Sequence, residues 1–118
     1  MDDFVAALVE QIQSAPSVDI NIDTYAASVG FSRSHFDQLF RTQVGVPPHQ
    51  YLLAIRLKEA SWLLRHTNLS VSEIALQVGF SDPFYFSRLY KKKYGVAPKN
   101  ERIRFSHTPS RDEQILNI

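Results

Sequence analysis

The most constraining feature of this chain is that it contains one pattern twice. Ile22-Asp-Thr-Tyr-Ala-Ala-Ser-Val-Gly-Phe-Ser32 aligns with Val71-Ser-Glu-Ile-Ala-Leu-Gln-Val-Gly-Phe-Ser81 at an offset of 49. Ala26, Val29, Gly30, Phe31 and Ser32 recur as Ala75, Val78, Gly79, Phe80 and Ser81. One residue is then inserted near Asp82-Pro83, after which Phe36, Leu39, Gly45, Val46 and Pro48 recur as Phe86, Leu89, Gly95, Val96 and Pro98 at an offset of 50. All four glycines belong to the pattern. A solenoid needs three or more stacked units to bury a continuous core, so two copies in 118 residues imply paired modules.

Each copy reads as helix, tight turn, helix. Ile22, Tyr25, Ala26 and Val29 fall at i, i+3, i+4 and i+7, one face of a short helix, and Val71, Ile74, Ala75 and Val78 repeat that spacing. Ser70-Val-Ser-Glu73 has capping-box spacing. Gly30 and Gly79 stand where a helix must end in a left-handed residue, which glycine adopts without a Cβ penalty. Ser32 and Ser81 are expected to cap the second helices, with Pro83 tolerated in an unbonded first turn. Phe36, Leu39 and Phe40, like Phe86, Leu89 and Tyr90, form the inward stripe, and Gly45 and Gly95 stop these helices. An opening helix around Phe4, Leu8 and Ile12 ends before Pro16, a long one runs from Pro48 to about Arg65, and a short one follows Pro98. No stretch alternates at period two, so the expectation is an all-α protein of about seven helices: two helix-turn-helix subdomains joined by a long central helix. The boundaries expected are 1–47, 48–66 for the linker helix, 67–104, and a loose tail over 105–118.

Composition excludes several classes. Apolar residues make up 44% and charged residues 21%, as in an ordinary globular protein. The absence of cysteine excludes disulfides, thiolate metal sites and a cysteine nucleophile. His35, His49, His66 and His107 show no metal-ligand spacing, and there is no phosphate loop or nucleophile elbow, so no enzyme, metal or cofactor is expected. Trp62 and most phenylalanines are read as core. With no bilayer-length apolar run and no signal-peptide order, the expected location is the cytoplasm, away from membranes. The net charge of +1 conceals an uneven distribution. Residues 1–29 hold five acidic and no basic side chains, whereas five basic residues and no acid lie between Pro83 and Asn100. A nearly neutral chain can therefore present a basic face.

A helix, a tight turn and a second helix is the arrangement that offers the second helix to the DNA major groove. With Phe36, Leu39 and Phe40 inward, the outward stripe is Ser34, Asp37, Gln38 and Arg41, and its counterpart is Phe84, Ser87, Arg88 and Lys91. Arg88 suits guanine O6 and N7, Gln38 suits adenine N6 and N7, and Asp37 suits a cytosine amine. Arg41, Lys91, Lys92 and Lys93 suit phosphates, which set affinity rather than sequence preference. The bland alternative is that every surface helix has a polar stripe; the repeated turn and the basic bias of both second helices weigh against it. Phe84 lies outward in this register, with packing into the turn as its alternative. The rival to DNA binding is a helical protein–protein interaction module built on the same fold.

These motifs resemble the DNA-binding domain of AraC/XylS-type transcription regulators. The resemblance rests on Arg56-Leu-Lys-Glu-Ala60, Leu63-Leu64, Ile74-Ala75, Val78-Gly-Phe-Ser-Asp82, Tyr85-Phe86, Tyr90-Lys91 and Gly95-Val-Ala-Pro98, and covers about residues 5–103. It implies two helix-turn-helix units on one long helix, binding double-stranded DNA as a rod along one side and regulating transcription, in the activator manner of the family. Carried over by position, the first recognition helix would use Arg33, Ser34, Asp37, Gln38 and Arg41, and the second Tyr85, Ser87, Arg88, Lys91 and Lys92. RNA polymerase is a further candidate partner. The family usually adds an effector-binding or dimerisation domain, and the acidic opening stretch favours a fragment of a larger regulator over a short stand-alone member. One departure stands out: three residues after Pro98, where the family has an aromatic and the first repeat has Tyr51, this chain has Glu101.

Overall fold

The computed structural model describes residues 1–106, with side chains through Ile103. Among these residues are seven helices and no strand: α1 (Asp3–Ser14), α2 (Ile22–Ser28), α3 (Arg33–Val44), α4 (Pro48–His66), α5 (Val71–Gln77), α6 (Pro83–Tyr94) and α7 (Pro98–Ser106). The all-α expectation holds. Helix α7 continues through residues 105 and 106, and the rest of the expected tail lies outside the described residues. The chain divides into two compact units between Lys58 and Glu59, inside α4, so this helix gives its first half to one unit and its second half to the other.

In the first unit, Val5, Leu8 and Ile12 of α1 meet Ile22 and Ala26 of α2, Phe36 and Phe40 of α3, and Leu52 of α4 in one buried cluster. Each large side chain buried there contributes about 1.5–3 kcal/mol relative to exposure. Ala26 is fully buried, and its small size allows α2 and α3 to pack closely beside the turn. Arg56 is buried to 6% exposure, which would be costly for a lone charge. Its Nε donates to the Pro16 carbonyl at 2.6 Å and its Nη2 to Val18 O at 3.4 Å and Asp19 Oδ1 at 3.2 Å. The guanidinium thereby fastens the α1–α2 connection to α4.

In the second unit, Ala60, Leu63 and Leu64 of α4 are buried, as are Ile74 and Ala75 of α5, Val78 and Phe80 of the turn, and Phe86 and Tyr90 of α6. Helix α7 packs on α6 by means other than the aromatic found in the first repeat. Glu101 is itself buried. The next residue, Arg102, matches core Leu52 of the first repeat, and its guanidinium donates to the carbonyls of Leu64 (3.3 Å), Thr67 (3.2 Å) and Leu69. Hydrogen bonds to the end of α4 and to the α4–α5 connection thus hold α7 where an apolar contact would otherwise serve.

Trp62 departs from its expected place in the core. It is 53% exposed and lies against the His66 ring, with centroids 4.5 Å apart. The buried positions Leu52, Arg56, Leu57, Ala60, Leu63 and Leu64 define one stripe of α4. At ~100° per residue, Trp62 falls nearly opposite the centre of that stripe.

Candidate nucleic-acid interface

Two short turns position the outward faces of α3 and α6. Asn21 caps α2, its side chain accepting from the Thr24 amide at 3.0 Å, and Ser70 caps α5 in a complete capping box with Glu73. The Glu73 carboxylate accepts from the Ser70 amide at 3.1 Å, and these bonds from Ser70 hold its pKa below the ordinary glutamate value. Both α2 and α5 then end in the same double bond. Phe31 N donates to Ala26 O and Gly30 N to Ala27 O; Phe80 N donates to Ala75 O and Gly79 N to Leu76 O. That is the Schellman pattern, and it needs the positive φ seen at Gly30 (87°) and Gly79 (109°). An alanine at Gly30 would meet no atom within 4 Å, so the requirement for glycine there is conformational rather than steric.

The second helices start differently. Ser32 caps α3 as expected, accepting from His35 N at 3.2 Å. The cap of α6 is not Ser81 but Asp82, whose Oδ1 accepts from Phe84 N at 2.9 Å. The residue inserted in the second repeat lengthens the turn by one. Pro83, lacking an N–H, then occupies the first helical position, and the residue before it becomes the cap.

On α3, Phe36 and Phe40 are buried and Leu39 is half-buried, while Ser34, Gln38 and Arg41 are exposed. Arg33 and Asp37, placed on the interface by sequence, are half-buried and engaged with each other. Arg33 Nε donates to Asp37 Oδ1 at 2.8 Å, and its Nη1 reaches Asp23 Oδ1 on α2 at 3.1 Å. The bond to Asp37 is the main reason the Arg33 pKa is raised. These contacts tie the start of α3 to α2. Asp23 was invisible as a member of this group until the turn brought α2 alongside.

On α6, Phe86 and Tyr90 are buried, Leu89 and Ser87 are half-buried, and Tyr85, Arg88, Lys91, Lys92 and Lys93 are exposed. The Arg88 guanidinium stands 5.9 Å from the centre of the Tyr85 ring, which in turn meets Phe80 edge-on at 6.2 Å. Phe84 is 77% exposed, as its register implied. Among the described residues none of the α6 cations forms an ion pair, whereas Arg33 on α3 forms two. The two faces therefore differ in field: α3 has a partly neutralised cation, and α6 presents an uncompensated row.

No group of three or more His, Asp or Glu residues able to hold a metal exists among the described residues, and no described helix is long and apolar enough to cross a membrane.

A family model described as a helix-turn-helix domain matches residues 25–104. The lactose operon transcription activator of Staphylococcus xylosus is 39% identical over 87 residues, covering 74% of this chain and 31% of that protein. The HTH-type transcriptional regulator MtrA of Neisseria gonorrhoeae is 36% identical, covering 80% of this chain and 32% of the regulator. The chain thus spans about a third of the length of these relatives. Among solved structures, the DNA-binding domain of AdpA in complex with a target DNA superposes with a TM-score of 0.81 at 29% identity, over 88% of this chain and 94% of that one. An AraC-type regulator from Chromobacterium violaceum gives 0.76 at 29% identity, over 90% and 95%.

Proposed function

Because this chain belongs to the AraC-type helix-turn-helix domain family, we propose that it binds double-stranded DNA sequence-specifically through α3 and α6 and so regulates transcription. The observation that carries this reading is the cationic face of α6, without ion pairs among the described residues and displayed immediately after the turn. Arg88 addresses a base edge, held by the Tyr85 ring, and Lys91 and Lys92 address phosphates. On α3, Gln38 and Ser34 face bases and Arg41 a phosphate. Arg33 and Asp37 act chiefly by fixing the start of α3 against Asp23, an assignment supported by their mutual ion pair.

In this reading the domain works in the cytoplasm and has no catalytic role, since its family is one of DNA-binding regulators. It acts within a larger activator that adds an effector-binding or dimerisation domain and contacts RNA polymerase. Selection of sites from random duplexes with this chain tests the proposal. Two enriched sequence blocks are expected, with affinity falling steeply as salt rises, because each neutralised phosphate releases counterions. No enrichment, or salt-independent binding, would favour the protein-interaction module.

A further inference from the structure

The two recognition helices agree on the inside and differ on the outside. Phe36 and Phe40 of α3 are matched by Phe86 and Tyr90 of α6, all fully buried. At the matched outward position, however, α3 has Ser34 and α6 has Phe84. Phe84 is the most exposed large apolar side chain among the described residues, and no ring stacks on it there. Scattered exposed apolar residues are ordinary on protein surfaces, so exposure alone decides nothing. Phe84 differs in being held on display. Its amide is bonded to Asp82 Oδ1, and Pro83 before it has a locked φ, so the backbone is pinned while the ring stays uncovered. It is four residues from Arg88, which places both on one face of the helix.

A major groove offers such a ring one apolar feature on its unmodified base edges: the C5-methyl group of thymine. We propose that Phe84 reads a thymine through that methyl group, beside the base addressed by Arg88. The inference rests on the DNA-binding reading above and adds to it a base identity and the residue that selects it. Ser34 offers α3 a hydroxyl at the equivalent place, so the methyl preference belongs to the block read by α6 alone.

The test uses the whole chain and the tightest duplex recovered from the random pool, with each thymine replaced in turn by deoxyuracil, which lacks only the methyl. One replacement, in the block whose preference relaxes in Arg88→Ala, is expected to weaken binding about fourfold, the effect of one methyl buried. Phe84→Ala is expected to bind the thymine duplex about that weakly and to stop distinguishing thymine from uracil there. Phe84→Leu, which keeps an apolar group, retains part of the distinction, and circular dichroism confirms that both variants are folded. Indifference of the parent chain to every replacement would overturn the proposal, as would full methyl discrimination surviving in Phe84→Ala. Failure to recover any preferred duplex would overturn the DNA-binding reading as well, so the two failures are distinguishable.

Discussion

Arg88 and Lys92 lie one turn apart on α6 and are both exposed, yet a duplex offers them different partners. A planar guanidinium held over Tyr85 is suited to a bidentate base contact; a flexible ammonium is suited to a phosphate. Arg88→Ala should therefore cost ~1–3 kcal/mol on the best site and relax preference at one base pair. Lys92→Ala should weaken all sequences alike and lower the salt slope by about one. Titrations of both variants on specific and scrambled duplexes, at several salt concentrations, separate the roles; equal sequence-independent losses would reduce Arg88 to a phosphate contact. At this scale the sequence was readable where a residue's role depends only on helix register. Ser34, Gln38, Arg41 and the α6 cations stand outward as their spacing implies. Arg33 and Asp37 were both assigned to the DNA face, although their opposite charges stand four apart, the spacing of a helical ion pair. The further claim of Asp23 on Arg33 depends on a side chain arriving from another helix, which register alone does not reveal.

Element boundaries follow from groups that satisfy backbone amides and carbonyls, and the caps are where they can be tested. Asp82→Ala should destabilise the protein by about 0.5–2 kcal/mol, as should Ser32→Ala, while Ser81→Ala should be close to neutral. Denaturant unfolding of the three variants checks the order, and a Ser81 effect as large as that of Asp82 would contradict the assignment. The Glu73 cap adds a pH dependence. Its carboxylate has a lowered pKa in the folded chain, so its stabilisation is complete above the unfolded value and is lost as pH falls through the folded one. The stability gap between the parent and Glu73→Gln should accordingly narrow in acid, below the ordinary glutamate range; a gap that widens there would contradict the capping role. The helices themselves were legible because glycine and proline punctuate a strong 3.6-residue period. The α6 cap was misplaced because two adjacent residues, Ser81 and Asp82, can both accept, and the deciding fact is the missing N–H of Pro83. Trp62 was misplaced by its size, although its angle on α4 already set it apart from the buried stripe. The seating of α7 through Arg102 lay beyond pattern reading, since the acceptors are backbone carbonyls rather than recognisable side chains.

Over the whole chain, the two units bring unequal fields to the same task. Replacing Gln38 and Arg41 together should erase preference in one block and leave the other readable. Replacing Arg88 and Lys91 should do the reverse. Arg41→Ala and Lys91→Ala each remove one charge and one phosphate contact on our assignment, but Lys91 lies in a row without ion pairs among the described residues, whereas α3 has Asp37 and neighbouring Asp23. Lys91→Ala should therefore lose more affinity at low salt than Arg41→Ala, a comparison that salt titration of both decides; equal losses would mean that the acidic neighbours of α3 have no effect on its field. The duplicated interior and unlike exteriors have one more result. Helix-turn-helix dimers built from identical chains read palindromes, which look the same from either end. In the reading proposed above, one chain holds two readers of different chemistry, Ser34 and Gln38 on one and Phe84 and Arg88 on the other. A site for such a chain has a head and a tail. Turning it around relative to a promoter reverses the heading of whatever stands on it, so a single molecule can encode orientation without a partner.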